Sequence, residues 1–155
     1  MDAVKSFWAE ARAGKIYVLL AFHGVIAHFF PWRVIKMLGE HSETGLKVGT
    51  LGIASAIALT VAVVVFLLTL FSNVSAKARK HLGLLLIGLP AIAIFCQVAF
   101  WFNTGGTQKA EGLGLTLTMK DPSSVGYGLY VAFLLSIGSA ILGVLRIKAS
   151  SAETE

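Results

Sequence analysis

The spacing of charged residues constrains this chain more than any other feature. Between Lys15 and Arg33 lie 17 uncharged residues, Ile16–Trp32. Val48–Ala76, His81–Gln108 and Pro122–Leu145 are likewise free of charge. A helix needs about 20 apolar residues to cross the hydrocarbon of a bilayer. Four stretches of that order predict four spanning helices, placed at Lys15–Phe30, Gly49–Phe71, Leu82–Phe102 and Val125–Leu145. Inside lipid, backbone polar groups must be satisfied within the segment, which favours helices over open strands. Lys15 and Arg33 lengthen the short first segment by carrying their charges toward the headgroups.

Composition points the same way. Of the 155 residues, 56% are hydrophobic and 14% are Asp, Glu, Lys or Arg, against about 25% charged in soluble domains. A soluble enzyme, a disordered chain and a free nucleic-acid binder are excluded on that ground. The single Cys96 excludes a disulfide scaffold. The expected fold class is an all-α membrane protein, one domain over residues 1–155, built as a four-helix transmembrane bundle. Ala3–Ala13 is expected to form a short interfacial helix, because Val4, Phe7, Trp8 and Ala11 make one apolar stripe. A plain extension of the first spanning helix is the equal alternative. The region lacks a plain basic leader and a small-x-small cleavage site, so it is not read as a signal peptide.

An even number of spans puts both termini on one side. That side carries Lys5, Arg12, Lys15, Lys77, Arg79, Lys80, Arg146 and Lys148; the other carries Arg33, Lys36, Lys47, Lys109 and Lys120. The bias predicts cytoplasmic termini, in a bacterial inner (plasma) membrane. The net charge of +5 then reads as topology plus attraction to anionic membrane lipids, and no nucleic-acid partner is needed.

Apart from Lys15 at the edge of the first, no Asp, Glu, Lys or Arg falls within the predicted spans, whereas ion-coupled transport and voltage sensing generally need such groups at depth. No glycine-rich phosphate loop or metal-spaced Cys/His cluster occurs, and a non-catalytic protein is expected. Two histidines lie in the first span. His23 is at its middle and His28 five residues on, about 140° around the helix. Each is either bonded to a backbone or hydroxyl oxygen or a candidate ligand for a haem or chlorophyll. Gln97 is the one amide at depth in the third span, and an amide there needs a partner such as Thr50 or Ser55. Pro90 is expected to kink that helix.

Without a hydrophobic force between helices in lipid, close backbone approach holds them together. Gly49 and Gly52 in the second helix, and Gly138, Ser139 and Gly143 in the fourth, mark candidate contact faces. They serve either intrachain packing or another subunit. In the loops, Val34, Ile35, Met37 and Leu38 suggest a turn or two of interfacial helix. Leu113–Met119 alternates with period two and predicts a short strand, in a hairpin or against the first loop; Leu115 and Leu117 on it are candidate interface residues. Asp121-Pro122-Ser123-Ser124 reads as a capped start to the fourth helix.

The first helix ends in Phe29-Phe30-Pro31-Trp32. The last opens Gly126-Tyr127-Gly128-Leu129-Tyr130 and runs through Gly138-Ser139-Ala140-Ile141-Leu142-Gly143. With a basic inner turn between, the chain resembles small claudin-like four-span proteins, which implies lateral assembly through outer-loop strands. Its first loop is much shorter than a claudin's and the claudin cysteine pair is missing, so no junction or pore role is implied. Locally, Gly24-Val25-Ile26-Ala27-His28 followed by Pro31-Trp32 is similar to the light-harvesting antenna β segment, which implies pigment ligation at His28. The leading expectation is a non-catalytic membrane subunit or scaffold that assembles with itself or with other membrane proteins. The alternatives are a haem- or chlorophyll-binding subunit of an electron-transfer or photosynthetic complex, and a channel or carrier for a neutral or lipid-like solute lined by Gln97, Thr50, Ser55 and Ser136.

Overall fold

The computed structural model describes residues 12–36, 40–71, 76–104, 107–112, 115–120 and 123–152; the interfacial helix expected at Ala3–Ala13 lies almost wholly outside them. Four α-helices appear where the uncharged stretches fall: α1 (Arg12–Ile26), α2 (Thr50–Phe71), α3 (Ala76–Asn103) and α4 (Tyr127–Ala152). A 3-10 turn, Ala27–Phe29, finishes α1. Three helices carry segments long and apolar enough to cross a membrane: Thr50–Leu70, His81–Asn103 and Tyr127–Ile147; the apolar part of the first, Gly14–Phe29, is shorter.

The helices pack in a ring. α1 contacts α2 and α4, and α3 contacts α2 and α4 on the other side. Three layers fill the interior. Tyr17, Ala21, Ala62, Val65, Phe66 and Leu86 form one near the chain termini, Ala58, Leu59 and Ala93 a middle one, and Ala27, Trp32, Phe100, Leu129 and Ala132 one at the far end. The outward faces are as apolar as the core, with Leu19, Phe22, Ile57, Val64, Leu84, Phe95, Leu134 and Ile141 all exposed.

The far end carries the strands. β1 (Pro31–Lys36) is the centre of a three-stranded sheet, flanked by β2 (Glu40–Thr44) and β5 (Ser123–Val125), both antiparallel to it. β3 (Thr107–Gly112) and β4 (Leu115–Lys120) form a separate antiparallel hairpin. The strand expected over Leu113–Met119 is therefore present from Leu115, in a hairpin. Two loop expectations are corrected. Val34 and Ile35 lie in a strand, not an interfacial helix, because β5, some 90 residues later, supplies the partner a β-branched pair favours. Ser123 and Ser124 belong to β5 rather than to a helix cap, and α4 starts at Tyr127.

α3 runs unbroken through Pro90. Proline has no N–H, so the carbonyl four residues earlier, that of Leu86, loses its helical donor. The Tyr17 hydroxyl donates to that same Leu86 oxygen at 2.8 Å. α1 thus repairs the gap that proline opens in α3. Tyr17→Phe should cost about 1–2 kcal/mol by stranding the carbonyl. In a Pro90→Ala background, where a backbone N–H is restored at position 90, the same change should cost clearly less. A double-mutant cycle on unfolding in detergent reads the coupling, and equal costs in both backgrounds would refute it.

The small residues mostly meet their own chain. A Cβ on Gly138 would stand 2.8 Å from Leu20 Cδ1, and one on Gly143 would stand 2.9 Å from the Leu86 carbonyl oxygen. Ser139 is buried and its hydroxyl donates to Leu135 O at 2.9 Å. Gly52 lies against the Gly45 carbonyl. Gly49 has open space around it and φ +103° just before α2, a conformation glycine adopts without strain. Leucine at Gly138 and Gly143 would therefore disturb the bundle itself before any assembly built from it.

Candidate functional site: a polar cluster joining the four helices

One side chain from each helical segment meets between the middle layer and the far-end layer. His28 comes from the 3-10 turn after α1, Ser55 from α2, Gln97 from α3 and Ser136 from α4. All four are fully buried. Gln97 is six residues from the end of α3, about 9 Å along the helix at 1.5 Å per residue.

The hydrogen bonds run in a chain. His28 Nδ1 lies 2.8 Å from Gly24 O and Nε2 lies 3.0 Å from Ser55 Oγ. Gln97 Nε2 donates to Ser55 Oγ at 3.0 Å and to Ser136 Oγ at 3.1 Å. The Ser136 hydroxyl donates to Ala132 O at 2.8 Å. The arrangement follows from helix geometry. Ser136 bonds one turn back, as hydroxyls in helices commonly do. Gly24 faces Leu59 so closely that a Cβ there would stand 2.9 Å from Leu59 Cδ1, and this brings the end of α1 within reach of Ser55.

Trp32 closes the cluster toward the sheet. It is fully buried, its ring centroid is 4.5 Å from that of His28 and 5.7 Å from that of Phe100, and its Nε1 donates to Ala27 O at 3.2 Å. The turn after β2 covers it: a Cβ on Gly45 would stand 2.7 Å from the indole, and Leu46 N donates to His28 O at 3.3 Å. Above, Arg33 pairs with Glu43 at 3.4 Å and sits 5.7 Å from the Phe100 centroid.

The partner expected for Gln97 is thus Ser55, with Ser136 added; Thr50 is exposed at the start of α2. His23 and His28 do face different ways. His23 is exposed, with Nδ1 2.7 Å from Leu19 O, while both ring nitrogens of His28 are engaged within the chain. Ligation of a metal by His28 would require breaking its bond to Ser55. Leu115 and Leu117 lie on β4, whose side chains fall outside the description. Among the described residues, no three His, Cys, Asp or Glu side chains could share a metal ion. Sequence reasoning missed the link between His28 and Ser55 and the role of Trp32 as a plug. The available signal was depth: His28 ends the first helix, and Ser55 lies near the start of the second.

Ser55→Ala should cost about 1–2 kcal/mol, since it removes a bond from both His28 and Gln97. The Ser55–Gln97 coupling from a double-mutant cycle should fall near the ~0.6 kcal/mol average for membrane bundles, with ~1.7 as the upper range. A coupling of zero would mean that the two do not meet in solution. Comparison with models of known families, with curated proteins and with solved structures finds no match.

Proposed function

We propose that this chain is a four-span integral membrane protein, with both termini cytoplasmic and the sheet outside, that acts as a non-catalytic subunit assembling laterally with copies of itself or with other membrane proteins. The observation that carries the membrane placement is a girdle of exposed aromatics at one level of the bundle. Phe29 and Phe30 close α1, Trp101 and Phe102 close α3, and Tyr127 and Tyr130 open α4, all exposed at the sheet end. Aromatic rings concentrate at the headgroup level of membrane proteins. Apolar outward faces on helices that also have an apolar core fit a lipid surround. The subunit reading draws on spans that carry no charge apart from Lys15 and Arg146 near their ends, and on a polar cluster whose protons are all committed within the chain. The bacterial inner membrane and the claudin-like pattern remain part of this proposal.

The test is native mass spectrometry of the full chain extracted gently from its own membrane. Several copies, or added mass from other polypeptides, supports the subunit reading. A bare monomer at membrane-like concentration refutes it.

A second reading has one observation behind it. With Nδ1 on the Leu19 carbonyl, His23 keeps Nε2 directed away from that bond on an exposed helix face. An imidazole that ligates a metal typically donates its other N–H to such an oxygen. His23 is therefore the better placed of the two histidines to hold a haem or chlorophyll. A visible absorption band lost in His23→Ala and kept in His28→Ala would establish it; a colourless native preparation would end it.

A further inference from the structure

The proton bookkeeping of the polar cluster leads to a binding site. Gly24 O can only accept, so His28 Nδ1, 2.8 Å away, carries the ring proton. In the neutral ring Nε2 then accepts, and the group facing it is the Ser55 hydroxyl at 3.0 Å. Ser55 has one proton, and this bond uses it. The Gln97 atom facing Ser55 must therefore donate, which makes it the amide nitrogen. Ser136 imposes the same orientation independently. Its proton goes to Ala132 O, so the Gln97 atom facing it must donate as well. Two separate constraints agree on one amide orientation.

That orientation directs Gln97 Oε1 to a buried position with no hydrogen-bond partner in the chain. The remaining capacity of the cluster is all of one kind. Every polar proton of His28, Ser55, Ser136 and the Gln97 amide is committed, and so is the indole proton of Trp32. Unused lone pairs remain on Gln97 Oε1, on Ser55 Oγ and on Ser136 Oγ. A buried polar group of this kind calls for a partner, and what these three oxygens select is a neutral molecule that offers protons.

We propose that the bundle binds a single water molecule at Gln97 Oε1, its second proton directed at a serine hydroxyl oxygen of the same cluster. The side chains that carry these oxygens are fully buried, and a buried polar group without a partner in the chain is what a single ordered water commonly satisfies. A cation is disfavoured because His28, Ser55, Gln97 and Ser136 include no carboxylate. The inference does not depend on whether the protein assembles with partners.

The test uses the full chain in lipid nanodiscs with labelled glutamine and histidine. Glutamine occurs only at positions 97 and 108, so a Gln108→Asn variant leaves one glutamine side chain to read. Magnetisation transfer from water protons should give a cross-peak at Gln97 Cδ, and the nitrogen shifts of His28 should show a neutral ring protonated at Nδ1. No transfer to Gln97 Cδ overturns the proposal. So does a doubly protonated His28: Nε2 would then donate to Ser55, and the amide could turn once the Ser136 hydroxyl swung from Ala132 O onto it, so that the carbonyl would accept from both serines and no longer lack a partner.

Discussion

Trp32→Ala should lower the unfolding free energy by about 3–5 kcal/mol, the range for deleting a large buried aromatic. Trp32 fills the end of the bundle against His28 and Phe100 with no solvent exposure. The loop above it is fixed by Leu46 N to His28 O and by Gly126 N to Trp32 O at 2.8 Å, so collapse into the space is restricted. Trp32→Phe keeps most of the volume and loses only the bond to Ala27 O, and should cost under about 2 kcal/mol. Unfolding in mixed micelles measures both. A loss below about 1 kcal/mol for Trp32→Ala would mean that the indole is not the plug described.

The second large effect concerns glycines that look alike in sequence. A Cβ on Gly52 would run into the backbone carbonyl of Gly45 and would also lie 2.9 Å from Val48 Cγ2. The carbonyl belongs to a turn held by Lys47 N and Val48 N on Thr44 O at 2.9 and 3.1 Å, and it has little freedom to move. Gly52→Ala should therefore cost about 3 kcal/mol, the top of the usual overpacking range, or prevent folding. Gly49→Ala meets no atom within 4 Å, but its φ of +103° should cost about 1–2 kcal/mol in backbone strain. Gly88 sits inside α3 with nothing within 4 Å, and Gly88→Ala should stabilise by up to about 1 kcal/mol. The order of the three is the measurement: a Gly52 variant as stable as the Gly88 variant would contradict the packing of α2 on the turn before it.

The helices were legible because absence of charge is a thermodynamic condition that each segment meets alone. Each uncharged stretch became a helix, with starts displaced by up to six residues where α3 extends back to Ala76. The strands were less legible because their partners are remote. Nothing near Val34 and Ile35 announces that Ser123–Val125 will lie beside them. The same division holds in the polar cluster. An amide at the depth of Gln97 demands a hydroxyl, and Ser55 on the adjacent helix could be named from that demand. In sequence, Ser136 groups with Gln97 and Ser55 only as a lining residue of a solute path, and both it and His28 join the cluster through the ring order of the helices, which the sequence pattern does not state. The small residues were legible as contact positions, but not what they contact: Gly143 serves the Leu86 carbonyl beside Pro90, a fact that depends on α3 and α4 together.

The pairing of β1 with β5 also governs the order in which the molecule can be completed. β1 precedes α2 and α3 in the chain, β5 follows both, and α4 comes after β5. Until the segment from β5 into α4 is made, Trp32 has no Gly126 amide against its carbonyl and no Leu129 beside its ring. Tyr17 can meet Leu86 earlier, as soon as α3 is in place. The seal around Trp32 therefore requires β5 and the start of α4, whereas the Tyr17–Leu86 contact requires neither. A chain truncated before β5 would leave one edge of β1 unpaired and the Trp32 carbonyl without the Gly126 amide. The fold thereby reports its own completion at the site where its polar groups are gathered.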